Sequence, residues 1–134
     1  MLPSVAYAAE YPTAEWYEVP FQYDLPGAGA LDVDVISPGE AYVICGNGAL
    51  ARWDGVQWSL VSITPGAMPS GDHIDAVSST SIWITGNDFV RWNGSDWVQW
   101  QLGYGSVGEV RAFSPTEVYV GYIPCVSRYD GTQY

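Results

Sequence analysis

The chain has 134 residues, 48% of them apolar and 15% aromatic, which is one domain's worth of sequence with enough apolar side chains for a core. Its formal net charge is −11, with no lysine and four basic residues, Arg52, Arg91, Arg111 and Arg128. Such a surface repels phosphate, so neither nucleic acid nor an anionic membrane is an expected partner. No apolar run approaches the ~18 residues that span a bilayer, and membrane insertion is not expected.

Residues 1–15 read as an N-terminal tail. Ala6-Tyr7-Ala8 followed by Ala9-Glu10 resembles the end of a secretory leader, small-x-small before an acidic start, although the basic and long apolar stretches of a leader are missing. With the lysine-free composition, this predicts a secreted or surface-exposed protein. A strand is expected over Trp16–Phe21, and Pro20 marks it as an edge or irregular strand. A Gly-rich turn then leads to Leu31–Ile36, where apolar and acidic residues alternate at period two, as in a strand with one wet face.

From Ser37 onward the chain repeats itself. Ser37–Trp58, Ser78–Trp97 and Ser114–Tyr134 are three imperfect copies of one phrase, spaced about 36 to 41 residues apart. Each copy opens with a turn (Ser37-Pro38-Gly39, Ser78-Ser79-Thr80, Ser114-Pro115-Thr116) whose residue types favour chain reversal. A β-branched and aromatic strand follows: Ala41–Ile44, Ile82–Thr85 and Val118–Val120. These are nearly continuous in apolar residues, as expected of strands covered on both faces.

The next strands, Leu50–Trp53, Phe89–Trp92 and Val126–Tyr129, end in Arg-Trp or Arg-Tyr. Asp54-Gly55, Asn93-Gly94 and Asp130-Gly131 then supply the positive φ of a tight hairpin turn. Fourth strands begin at Trp58, Trp97 and Tyr134, and Trp16 heads a strand of the same kind. The equivalents of Leu31–Ile36 are Ile74–Val77 and Val110–Phe113. Each unit is thus four antiparallel strands, with repeat boundaries at 16–57, 58–96 and 97–134. The last unit lacks the strand that the N-terminus carries in surplus, and pairing Trp16–Phe21 with Val126–Tyr129 would complete it.

The phrase S-P-x-E/D-V-Y/W-V … R-W-D/N-G-x-x-W resembles the blades of β-propellers, in particular the short four-stranded blades of secreted bacterial and tectonin-like proteins. The match covers 16–134. It implies an all-β fold of three propeller-type blades, completed by oligomerisation or forming part of a larger propeller. Propellers generally have four or more blades, so the favoured partner is the chain itself, two copies making a six-bladed ring by strand exchange. A fragment of a longer propeller is the alternative. A β-trefoil also has three units, but its Q-x-W ending does not recur in register here.

Most repeated residues are expected to be structural. Trp16, Trp58, Trp97 and Tyr134, with Tyr42, Trp83 and Tyr119 and with Trp53, Trp92 and Tyr129, read as blade packing. Arg52, Arg91 and Arg128 are expected to pair with acids or stack on aromatics between blades. Asp54, Asn93 and Asp130 read as turn residues rather than calcium or sugar ligands. Asn93-Gly94-Ser95 is also a glycosylation sequon. Candidates for an exposed ligand-binding platform are the aromatics outside the pattern, Tyr17, Trp100, Tyr104 and Tyr122.

His73, beside Asp72 and Asp75, reads as a solvated loop histidine, and no metal or other cofactor is expected. Cys45 and Cys125 are either two buried thiols or a disulfide, within or between chains. No nucleophile motif accompanies the single histidine, so an enzyme is not expected. The expected function is binding and self-assembly. A lectin-like propeller binding glycans between blades is the alternative, and a glycan or another surface protein is the expected ligand class.

Overall fold

The computed structural model describes residues 29–46, 48–61, 71–100 and 107–132. These form eleven strands and no helix: β1 (Ala30–Ser37), β2 (Glu40–Cys45), β3 (Leu50–Trp53), β4 (Trp58–Val61), β5 (Gly71–Ser78), β6 (Ser81–Gly86), β7 (Phe89–Trp92), β8 (Trp97–Trp100), β9 (Val107–Ser114), β10 (Glu117–Tyr122) and β11 (Cys125–Tyr129). They build three antiparallel sheets in chain order, β1-β2-β3-β4, β5-β6-β7-β8 and β9-β10-β11. Among the described residues the third sheet has three strands, with β11 at its edge. The expected Trp16–Phe21 strand, the residues Tyr17, Tyr104 and Tyr134, and the tail of residues 1–15 lie outside the described residues.

The first strands, β1, β5 and β9, pack in succession, so each sheet faces the next. Two cores lie in the two junctions. Tyr42, Ile44 and Leu50 of the first sheet meet Ile74, Ala76, Ile82 and Ile84 of the second. Trp83 and Phe89, on the other face of the second sheet, meet Val107, Val110, Val118, Val120 and Tyr129 of the third. Period-two alternation explains this: Ile82 and Ile84 point to one neighbour and Trp83 to the other. All six residues of β6 are buried.

The hairpin turns follow the residue types. Asp54 Oδ1 accepts from Val56 N (2.9 Å) and Gln57 N (2.8 Å), and Asn93 Oδ1 does the same for Ser95 N (2.9 Å) and Asp96 N (2.8 Å). Asp130 Oδ1 accepts from Thr132 N at 3.0 Å. The backbone bonds hold the Asp54 carboxyl below its ordinary range. One detail differs from expectation. Only the glycines take positive φ, 92° at Gly55, 95° at Gly94 and 98° at Gly131. The side-chain cap closes a four-residue loop between Trp53 and Trp58, so the first residue keeps ordinary φ. A Cβ at Gly131 would also lie 2.9 Å from Thr116 Cγ2, because this turn packs on the turn before the second strand.

The alternation in β1 runs opposite to expectation. Its apolar residues are the exposed ones, Leu31 at 52%, Val33 at 55% and Val35 at 61%. Asp32 and Asp34 instead face the second sheet. Their Oδ1 atoms accept from Val33 N and Val35 N of their own strand. Their Oδ2 atoms accept from Ile74 N and Ala76 N of β5. Asp75 repeats the device one sheet on, accepting from Ala112 N at 3.1 Å. An inner edge strand leaves N–H groups without a ladder partner, and these carboxylates satisfy them. Hence the acids are half-buried between sheets for a reason that hydropathy does not show.

Candidate functional site

Each sheet carries the same corner on its equivalent face. It joins the residue opening the second strand (Glu40, Ser81, Glu117), the aromatic two residues later (Tyr42, Trp83, Tyr119), and the arginine opposite that aromatic on the third strand (Arg52, Arg91, Arg128). Alternation puts the first two on one face, and antiparallel register adds the third.

In the first sheet the corner is closed by charge. The Tyr42 hydroxyl donates to Glu40 Oε1 at 3.0 Å, and Arg52 reaches the same oxygen through Nε (3.1 Å) and Nη2 (2.9 Å). Burial, with Glu40 beside it, pushes the Tyr42 phenol up to about 12, so it remains a donor at neutral pH. The bond to Glu40 likewise raises Arg52. Beside this corner, Tyr42, Arg52, Val61, Ile82, Trp92 and Trp97 line a cavity of about 120 Å³ between the first two sheets. Trp92 and Trp97 form a tilted pair 5.4 Å apart, and Trp92 Nε1 donates to Ser79 O at 3.1 Å.

In the second sheet the corner is closed by aromatics. Arg91 lies 4.7 Å from the Trp83 ring centroid and 5.5 Å from that of Tyr129, and donates through Nη1 to the Tyr129 hydroxyl at 3.0 Å. Trp83 stacks on Phe89 (5.2 Å) and Trp100 (6.4 Å). The stacking expected of the repeated arginines occurs here, across a junction. The third corner is open: Tyr119 donates to Glu117 at 3.2 Å, while Arg128 and Glu117 stand 3.6 Å apart and about half exposed.

The other candidates fall as follows. Trp100 is half-buried in the Trp83 cluster, so it forms no exposed platform. Tyr122 is half-buried and its hydroxyl meets Ser127 Oγ at 3.0 Å. Trp53 and Trp58 form a tilted pair at 5.6 Å. His73 lies within β5 rather than in a loop, with Nδ1 3.8 Å from Asp32 Oδ2. Among the described residues no three His, Cys, Asp or Glu side chains come together as a metal-binding group. Both cysteines are free: Cys45 is buried, its thiol pushed up by that burial, and Cys125 is exposed. They belong to the first and third sheets, with the second between, so a within-chain disulfide does not form, and the expectation of two buried thiols fails at Cys125. Sequence reasoning missed Glu40, Ser81 and Glu117; the signal was a glutamate two residues before the aromatic in the first and third copies.

Successive antiparallel sheets packed face to face make this an all-β chain of β-propeller-type blades. A solved structure described as YCF48 bound to D1 peptide, a β-propeller protein, matches it with a TM-score of 0.63 at 16% sequence identity. The match covers 78% of this chain and 38% of that one, so the chain spans well under two thirds of that neighbour. At this identity the likeness shows the fold alone. No protein-family model matches the chain, and no curated protein does.

Proposed function

We propose that this chain is a non-enzymatic, secreted or surface-displayed propeller-repeat subunit that acts by binding, and that it completes its ring with further units, two copies making six blades. One comparison between copies carries the reading. Ile74 and Ala76 of the second blade are 5% and 8% exposed, whereas Val33 and Val35 at the same repeat positions of the first are 55% and 61% exposed. The first blade's free face is built like a face that a preceding blade covers. It holds a concavity of about 350 Å³ lined by Val33, Val35, Ala41, Trp53 and Trp58 among others.

The third blade mirrors this, with Phe113 at 74% and Val126 at 70% exposure. A head-to-tail contact that closes after two copies buries both faces without leaving open ends. Strand exchange at the β11 edge by Trp16–Phe21 belongs to the same proposal. Radical footprinting at rising protein concentration tests it. Protection of Val33, Val35, Phe113 and Val126 together is the expected result, and concentration-independent labelling at all four contradicts it.

The cavity between the first two blades favours a second reading, a glycan or surface-protein site. Its Trp92–Trp97 pair offers aromatic faces, and Arg52 and Tyr42 offer donors. A glycan array with a Trp97→Ala control discriminates, and absence of binding by the assembled protein removes the lectin version.

A further inference from the structure

We propose that the cavity between the first two blades is a receptor for a single aromatic ring presented by a ligand. The inference rests on the reading of this chain as a binding protein and narrows the ligand class of that cavity. The second junction shows what the equivalent space holds when it is filled. Trp100 closes β8 opposite Phe89, and its indole lies 6.4 Å from Trp83, stacked, and 6.4 Å from Tyr129 of the third blade, tilted. Val61 closes β4 opposite Leu50, so it is the counterpart of Trp100 one blade earlier. By the same register Tyr42 and Trp92 are the counterparts of Trp83 and Tyr129.

An isopropyl group is much smaller than an indole. Where the second junction has Trp100, the first has the cavity of about 120 Å³ bounded by Tyr42, Arg52, Val61, Ile82, Trp92 and Trp97. Its walls reach the surface. The Arg52 side chain is 44% exposed, and Val61, Trp92 and Trp97 are half-buried, so a guest has a way in.

The chemistry of the guest follows from size and polarity. An apolar cavity of about 150 Å³ takes up benzene, so this one is on the scale of a single ring. Trp92 and Trp97 stand 5.4 Å apart at 41°, and with Tyr42 they offer the faces and edges against which aromatic rings gain more than area alone gives. Tyr42 and Arg52, the donors that a sugar would use, already donate to Glu40, and Trp92 Nε1 donates to Ser79 O. A sugar must compete with those partners or leave its own hydroxyls unpaired, which is costly. A benzene-type ring needs neither. It belongs to a free small molecule or to a phenylalanine or tyrosine side chain.

The test is an NMR titration of the isotope-labelled full chain with benzyl alcohol, with cyclohexylmethanol and methyl glucoside in parallel. The Trp92 and Trp97 indole N–H signals should shift together and saturate with benzyl alcohol. That of Trp83 should stay in place, because Trp100 and Tyr129 already fill its junction. Cyclohexylmethanol should bind at least fivefold more weakly, and Val61→Trp, which places in the first junction the residue of the second, should weaken benzyl alcohol binding at least tenfold. No saturable shift at Trp92 and Trp97, an equal shift at Trp83, or equal affinity for the saturated ring overturns the proposal, and none of these depends on a variant folding. Saturation by methyl glucoside alone also overturns it while the glycan reading stands. A blocked phenylalanine peptide distinguishes the sources. Affinity at least tenfold above that of benzyl alcohol places the ring on a polypeptide, and equal or lower affinity assigns a free small molecule.

Discussion

The middle and last blades are built from the same phrase and differ in what surrounds them. Every residue of β6 is buried, whereas in β10 only Val118 and Val120 are, the residues facing the second blade. Trp83 is sealed between Arg91, Phe89 and Tyr129; Tyr119, its counterpart, is half-buried under an exposed Arg128. Between these two blades burial follows the neighbour, as expected of a repeat whose blades cannot cover their own faces, whereas in the first blade β2 is buried on both faces and only β1 exposes its apolar residues. The exposed apolar residues of the first and third blades, Val33, Val35, Phe113 and Val126, are where the proposed assembly would add a neighbour.

The largest expected effect lies in the sealed junction. Trp83→Ala should cost about 3–5 kcal/mol in urea unfolding, whereas Phe113→Ala on the open face should stay within about 0.5 kcal/mol for dissociated protein. Next comes the free face itself. Val35→Lys should weaken self-association at least tenfold by sedimentation while shifting the stability of the dissociated chain by no more than about 0.5 kcal/mol; unchanged association would break the comparison.

The corners give a smaller contrast. Glu40→Ala leaves the buried Tyr42 hydroxyl without its acceptor and should cost about 1–3 kcal/mol. Glu117→Ala removes an exposed pair and should cost at most about 1 kcal/mol by the same denaturation assay. Equal losses would mean that burial does not separate the two blades.

The smallest effect is a pH dependence at Asp75. Burial raises its carboxyl above the ordinary range despite the bond from Ala112 N and the nearby Arg111. A carboxyl raised in the folded state contributes stability at acidic pH that is lost as pH rises through its folded value. Asp75→Asn keeps an acceptor for Ala112 N and removes the ionisation. Its urea midpoint should exceed the parent's slightly at pH 7, and the difference should vanish below about pH 4.

Much of this architecture was legible in the sequence. Turn chemistry is local, so Asp54, Asn93 and Asp130 announced their loops, and Trp16 to Tyr134 announced a repeat. Asp32 and Asp34 misled because their partners are backbone N–H groups of another sheet, which no hydropathy pattern records. Trp100 misled because the Phe89–Trp83–Tyr129 cluster that encloses it draws on two sheets. The corner of Ser81 was invisible for a related reason. Its meaning comes from a departure at one position of three copies, and only the geometry of Glu40 and Glu117 shows what that departure removes.

The most direct measurement is solution mass by light scattering, with circular dichroism on the same sample. A folded species at twice the 14.6 kDa chain mass is the predicted result, since two copies cover both free faces. A folded, stable monomer at high concentration, with Val33 and Val35 still open to solvent, would contradict it.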